Sequence, residues 1–319
     1  MTKIPVLDSQ QVYAAVSPVE AIERVREGFV SFARGEWQMP PKVYLPSPPG
    51  GDFRAMPVRG EGLAILKWIT SFPGNPRRGL PTVTGVMFVS DAGNGEPLAM
   101  LDARAVTALR TGAAAAVATQ ELAREDASSV GLIGCGLHGL WVGRCMADAE
   151  YGPGVCFDPD PEAAGDAAAE LGWEVGDLGE ALACDVVCTI TPGAQPVITA
   201  AGLRPGQHLN LLGADGPGKA EAGVDAIARV KDRGLLFCDE WAQASHGGEL
   251  TGAVAEGVVT RDDVTELGAV CAGIEAGRSS NDQITLFDST GLAIQDLAIA
   301  LGVLEALRAE VVKPQMIEL

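Results

Sequence analysis

No stretch of the 319-residue chain reaches the ~18 consecutive apolar residues that a membrane-spanning helix needs. Basic residues are scarce: 23 Lys and Arg stand against 42 Asp and Glu, a formal charge of −19. That balance excludes nucleic acid or an anionic membrane as partner, because phosphate-bearing surfaces are held by a surplus of Lys and Arg. Any anionic ligand must therefore be gripped by a local cluster. Histidine is limited to His138, His208 and His246, none at ligand spacing, so neither a metal site nor a His-based catalytic triad is expected. The seven cysteines are odd in number and scattered without a C-x-x-C pair, a usage that suits buried free thiols in a reducing compartment. The opening Met1-Thr2-Lys3-Ile4-Pro5 has no apolar signal-peptide core, and a cytoplasmic location is expected. What the chain does have is apolar mass, 47% of its residues, ample for a core and for about two domains of roughly 100–200 residues each.

Residues 18–34 have the pattern of an amphipathic helix, with Ser17 as N-cap, Pro18 at the first position, Glu20 closing a capping box and Ile22, Val25, Phe29 and Phe32 along one face. From Trp37 to Pro81, Pro- and Gly-rich segments surround short extended runs such as Lys42–Leu45 and Ala64–Ile69, which predicts a sheet with long loops. Val83–Val89 and Leu98–Leu101 form a hairpin pattern around Asp91–Gly95, and a helix is predicted at about 104–123. After Arg124-Glu125-Asp126 the pattern alternates: strand Ser129–Ile133, helix to Ala149, strand Gly154–Phe157, helix 161–171, then strands Val186–Thr191, Gln207–Leu212 and Leu235–Cys238. Such alternation marks a parallel, doubly wound sheet. Gly291–Leu307 is a long apolar-faced helix expected to return to the first domain.

Within the alternating part, Gly134-Cys135-Gly136-Leu137-His138-Gly139 sits between strand Val130–Ile133 and a helix. Gly134 allows a tight turn, Gly136 lets backbone approach a pyrophosphate, and the helix start at Leu137 and His138 offers N–H groups and partial positive charge. This is the fingerprint of a Rossmann dinucleotide site, and it explains how so acidic a chain can hold a diphosphate. His138 is given no catalytic role. The next strand ends in Asp158, where an acid meets the adenosine ribose, and the following Pro159-Asp160-Pro161-Glu162 would repel a 2′-phosphate. NAD(H) is therefore favoured over NADP(H). Thr189 and Thr191 close another strand at the carboxyl edge, where hydroxyls line the cofactor crevice.

A substrate partner for such a domain must come from upstream cations: Lys42, Arg54, Lys67 and Arg110. Lys67 is unusual because it lies inside an apolar strand-like run, where an unpaired ammonium is costly to bury. It could equally be an edge-strand lysine snorkelling to water, and Arg54 and Arg110 could serve as interdomain or helix-end salt bridges.

Taken in order, Met39–Lys42, Phe53–Pro57, Leu66-Lys67-Trp68, Phe72–Pro76, Leu80–Thr82, Gly95–Pro97, Leu109–Ala113, Gly213–Glu221 and Phe287–Asp296 resemble the ornithine cyclodeaminase/mu-crystallin family, which includes archaeal-type alanine dehydrogenase and ketimine reductases. The resemblance covers nearly the whole chain. It implies an α/β protein: a Rossmann NAD-binding domain over 119–291, and an α+β substrate and dimerisation domain from 1–118 and 292–319, completed by the C-terminal helix, in a homodimer. Carried over by position, Lys67 and Asp215 are the catalytic pair. Arg54, with Lys42, serves the substrate carboxylate, Lys67 moves protons with its pKa lowered by Arg54 and partial burial, and Asp215 steadies an iminium or directs water. Arg110 and Thr111 are assigned to the cofactor side. Ser289 and Thr290 resemble a nicotinamide-lining segment, although a Ser/Thr cap before the final helix fits the same residues. The Gly loop departs from the family's usual Gln-Ala ending. Ornithine cyclodeaminases carry Glu where this chain has Arg54, which leans toward the dehydrogenase and imine-reductase branch. The expected function is NAD-dependent oxidoreduction at the C–N bond of a small amino, keto or imino acid. The alternatives are a cyclodeaminase using NAD catalytically, and a non-catalytic binder of a dinucleotide and a small ligand.

Overall fold

In the computed structural model, residues 3–193, 195–216 and 218–318 are described. Met1, Thr2 and the Pro217 of the Gly213–Glu221 motif lie outside the described residues. The chain divides into two compact units, Met1–Arg110 with Leu292–Leu319, and Thr111–Gly291. The first division falls after Arg110, inside the helix Ala103–Leu122.

The first unit is built on a seven-stranded sheet. Its strands are β1 (Lys3–Leu7), β2 (Val43–Ser47), β3 (Gly51–Gly60), β4 (Leu63–Ser71), β5 (Val83–Asp91), β6 (Pro97–Asp102) and the C-terminal strand Gln315–Glu318, in the order C-terminal strand, β1, β6, β5, β4, β3, β2. Antiparallel β3, β4 and β5 bury alternate residues, Met56, Val58, Ile65, Ile69, Met87 and Val89, on one face, as a period of two requires. The helix Pro18–Ala33, with the Ser17/Glu20 capping box the sequence predicts, packs against the final helix Ala293–Arg308, and that helix also lies on β3 and β4. The opposite face of the sheet stays open. Leu66 and Phe88 sit directly opposite each other in the β4–β5 register and are 40% and 43% exposed.

The second unit holds eight parallel strands: β7 (Val130–Ile133), β8 (Gly154–Phe157), β9 (Glu174–Val175), β10 (Val186–Thr189), β11 (His208–Leu211), β12 (Gly234–Cys238), β13 (Val264–Glu266) and β14 (Ile284–Asp288). Their order is β13-β12-β14-β11-β10-β7-β8-β9. The chain runs outward from β7 to β8 and β9, then crosses back to place β10 on the other side of β7. That reversal between β7 and β10 is the topological switch point at which doubly wound sheets bind ligands. β7, β10, β11 and β14 are buried along their whole length. β11 nevertheless alternates, and its buried His208 and Asn210 are satisfied by hydrogen bonds to each other, to Thr285 and to Thr119. β14 has no counterpart in the sequence reading.

Strand β7 tolerates no side chain at its second residue, because a Cβ on Gly131 would lie 1.9 Å from the Ala181 carbonyl oxygen. Gly131→Ala is expected to destabilise the protein by about 1–3 kcal/mol, the usual cost of overpacking. Chemical denaturation of the variant beside the wild type measures it, and an unchanged midpoint would contradict this packing.

Candidate functional site

Two groups of functional side chains emerge, one in each unit. In the first, β4 is an interior strand, so Lys67 has no edge from which to snorkel. Its side chain shares the helix-facing side with Ile65 and Ile69 and is 1% exposed. Nζ donates to Asp296 Oδ1 at 2.7 Å and to Thr107 Oγ1 at 3.3 Å. The same Asp296 oxygen lies 3.6 Å from Arg110 Nε, and Arg110 Nη1 donates to Gln295 Oε1 at 3.1 Å. Gln295 also accepts the Leu292 N–H at 3.2 Å, so one amide braces the first turn of the final helix and holds a guanidinium.

Burial pushes Lys67 down from the ordinary lysine value to about 7; Asp296 opposes the shift, and Arg110 and then Lys42 add to it. The sequence reading named Arg54 and partial burial as the cause. Full desolvation and Arg110 replace them. Arg54 itself is buried in a fork with Asp52, Nε to Oδ1 at 2.6 Å and Nη2 to Oδ2 at 3.3 Å, and its guanidinium stands 5.4 Å from the centre of the Tyr44 ring. Lys42 is half-buried just before β2. Arg110, which the resemblance assigns to the cofactor side, hydrogen-bonds Gln295 and lies beside Asp296. Sequence reasoning missed Asp296, Gln295 and Thr107 as members of this group. The available signal was a polar Gln-Asp pair inside an otherwise apolar helix.

In the second unit, Gly134 follows β7 with φ of +98°, a conformation that favours glycine. A Cβ at Gly139 would stand 1.9 Å from the Gly134 carbonyl oxygen, so this glycine is needed for helix and turn to close, whereas a Cβ at Gly136 would meet nothing within 4 Å. Gly136 caps the helix Leu137–Asp148 with no side-chain hydrogen bond, and the N–H groups of a helix's first turn point outward along its axis. Open space over Gly136 and an uncapped helix start fit a dinucleotide pyrophosphate. Asp158 directly follows β8, and its two carboxylate oxygens accept the Cys135 N–H at 2.8 Å and the Asp160 N–H at 2.9 Å. It thus braces the Gly loop, and each oxygen keeps a further lone pair for a hydroxyl donor.

Across the switch point, Thr189 is fully buried at the end of β10. Glu221, also fully buried, accepts N–H groups from Thr191 at 2.6 Å, Gly213 at 2.7 Å and Leu212 at 3.1 Å, tying together the loops that follow β10 and β11. Burial raises the Glu221 carboxyl, and burial followed by the Glu221 charge pushes Glu249 up to about 8. Asp215, just beyond β11, is paired with Lys219 Nζ at 2.5 Å. Thr111 is buried on the helix Ala103–Leu122. Ser289 and Thr290 do not cap the final helix, whose N-cap is Leu292. Thr290 Oγ1 donates to Asp239 Oδ1 at 3.0 Å, which holds the segment after β14 against the end of β12.

A profile of the ornithine cyclodeaminase/mu-crystallin family matches residues 4–310, and the chain belongs to that family. It is 42% identical over 307 residues to the alanine dehydrogenase of Archaeoglobus fulgidus, covering 94% of both chains. Among solved structures it is similar to an archaeal alanine dehydrogenase dimer with bound NAD, at a TM-score of 0.92, 40% identity and 99% coverage of both chains. It is also similar to the iminosuccinate reductase of Paracoccus denitrificans in complex with NAD+, at a TM-score of 0.88, 30% identity and full coverage of both. These likenesses establish the fold class, a Rossmann-like domain joined to a second α/β unit.

Two measurements test the site geometry directly. Because the folded amine titrates near 7 and a free lysine near 10.5, the unfolded chain binds more protons between those values, so Lys67 makes the protein more stable as pH rises from 7 to 10.5. Lys67→Met should lose that component, and a pH-stability slope matching the wild type would contradict the burial. Gly139→Ala should lower the unfolding midpoint while Gly136→Ala leaves it unchanged; equal effects would mean that the loop glycines have no separate roles.

Proposed function

We propose that the protein is an NAD-dependent oxidoreductase acting on the C–N bond of a small amino or imino acid, in the direction of reductive amination or imine reduction and its reverse. The observation that carries this reading is Lys67: a fully buried amine whose pKa is brought to about 7, in a chain that also holds a dinucleotide cradle. A group titrating near neutrality can both give and take a proton at working pH. NAD(H), held by the Gly134–Gly136 turn, Leu137, His138 and Asp158, with Thr111, Thr189, Thr191, Ser289 and Thr290 contributing, would supply or accept the hydride.

The remaining work falls to this chain's own side chains. Arg54, oriented by Asp52 and Tyr44, with Lys42 nearby in sequence, is assigned to the substrate carboxylate, which a planar guanidinium matches with two parallel hydrogen bonds. An ammonium has three N–H bonds; Asp296 and Thr107 accept two of those of Lys67, which leaves one to give to the substrate nitrogen or to departing water. Asp215 is assigned to the positive charge of the iminium. In the reductive direction a 2-oxo acid and ammonia lose water to form the imine, Cα gains the hydride, and nitrogen gains the proton. Arg54 favours this reading over cyclodeamination, because a cation at that position opposes the side-chain ammonium of a dibasic substrate. The experiment is NADH oxidation across 2-oxo acids with ammonia, simple amines and cyclic imines, beside ornithine. Turnover of at least one carbonyl or imine substrate is expected, with Lys67→Ala losing about 10²–10⁴-fold in kcat while binding NADH as the wild type does. Full activity of that variant would refute the role, and ammonia and proline from ornithine without net NADH change would establish a cyclodeaminase.

We further propose a homodimer formed through the open face of the first unit's sheet. Leu66, Phe88 and half-buried Trp68 and Val86 make a contiguous apolar surface there, the similar archaeal alanine dehydrogenase is a dimer, and such patches rarely stay exposed on a monomer. None of the seven cysteines forms a disulfide among the described residues, a usage that suits the cytoplasm we propose. Leu66→Asp with Phe88→Asp should convert the dimer to a monomer in light scattering, and an unchanged mass would place the interface elsewhere.

A further inference from the structure

We propose that Asp296 is the positioning residue of Lys67: by giving one oxygen to both Lys67 and Arg110, it directs the amine and sets the pH at which that amine works. The proposal rests on the reading of Lys67 as the proton-moving group. Asp296 is fully buried in the first turn of the final helix, 229 residues along the chain from Lys67. Its Oδ1 is 2.7 Å from Lys67 Nζ and 3.6 Å from Arg110 Nε, and among the described residues its Oδ2 takes no hydrogen bond. The whole negative charge of the carboxylate therefore answers these two cations.

Three segments bring charged or polar groups to the amine. The final helix brings Asp296, the helix Ala103–Leu122 brings Arg110 and the Thr107 hydroxyl, and the segment before β2 brings Lys42. The neighbouring strands place Met56 and Met87 opposite Lys67, and neither carries charge. Among the described residues Asp296 is thus the one carboxylate paired with Lys67, and the same oxygen faces Arg110. Burial, Arg110 and Lys42 all drive the proton off Lys67, and Asp296 alone by its charge keeps the balance near neutrality. Gln295 adds the geometric half of the device. By holding Arg110 Nη1, it keeps the guanidinium beside Asp296, so the two cations share the carboxylate.

Asp296→Asn separates charge from shape: the amide is isosteric and its oxygen can still accept from Nζ, but the negative charge is gone. The experiment uses the full-length protein with lysine labelled with 13C at Cε. The Lys67 resonance is assigned by its absence in Lys67→Met and followed against pH, beside kcat/KM for NADH oxidation with the best oxo-acid or imine substrate. Lys67 should titrate near 7 in the wild type and about one pH unit or more lower in Asp296→Asn, with the alkaline limb of kcat/KM moving down by the same amount and roughly a fivefold loss of activity at pH 7. Asp296→Glu should return the titration toward the wild-type value. If Asp296→Asn folds and binds NADH as the wild type does but Lys67 titrates at an unchanged pH, the proposal is overturned. If the Lys67 resonance shifts but the rate profile does not follow, the positioning of the amine stands and the functional reading of Lys67 fails. Should Asp296→Asn not fold, Arg110→Gln carries the test: removing the competing cation should move the Lys67 titration upward, and no movement would overturn the shared-carboxylate account.

Discussion

A single buried ion pair, Lys67 with Asp296, constrains the first unit more than any other contact. An ammonium and a carboxylate that are 1% and 0% exposed survive only because each answers the other, and removing one partner of such a pair costs about 3–5 kcal/mol. The pair dictates the chain's path. Lys67 must lie on an interior strand whose buried face meets a helix, and that helix must come from the far end of the sequence. The final helix therefore belongs with the first unit, packed on β3, β4 and the helix Pro18–Ala33. The stability so invested leaves an amine that is poised near pH 7, and that poise is the chemical value of the arrangement.

The second unit meets a related difficulty from the opposite sign. An acidic chain must hold an anionic ligand, and it does so with backbone: the open turn at Gly136 and the uncapped start of the following helix. Several of its carboxylates serve the scaffold. Glu221 gathers three N–H groups from the loops beyond β10 and β11, Asp158 fastens the Gly loop, and Asp239 holds Thr290 and Gly291. Each acid is satisfied by N–H or O–H donors, which offsets the cost of taking it out of water. The formal charge of −19 thus includes a set of internal braces as well as solvated surface.

Local pattern made much of this legible. The capping box at Ser17, the β8 strand and the helix Pro161–Leu171 follow from residue type and spacing alone, and the Gly134–Gly139 turn stands where its strand and helix predict. What stayed hidden depends on pairing across long separations. β1 and the C-terminal strand find each other from opposite ends of the chain, and neither has a strong alternation of its own. Lys67 was conspicuous in an apolar run, but its partner was not, because Asp296 sits in a helix whose hydrophobicity reads as plain core. The closeness of Arg110 to Gln295 and Asp296, some 185 residues away along the chain, is likewise visible only in three dimensions. The capping reading of Ser289 and Thr290 was reasonable by residue type. The helix begins later, at Leu292, and the Thr290 hydroxyl is spent on Asp239.

The central claim is that hydride is exchanged with the α-carbon of a C–N substrate. The most direct measurement is mass spectrometry of the product formed from a 2-oxo acid or cyclic imine, with ammonia where needed, and NADH deuterated on both positions of C4. A product amino acid carrying one deuterium at Cα is the expected result. Formation of the amino acid without deuterium at Cα, or no product from any such substrate despite saturating NADH, would contradict it.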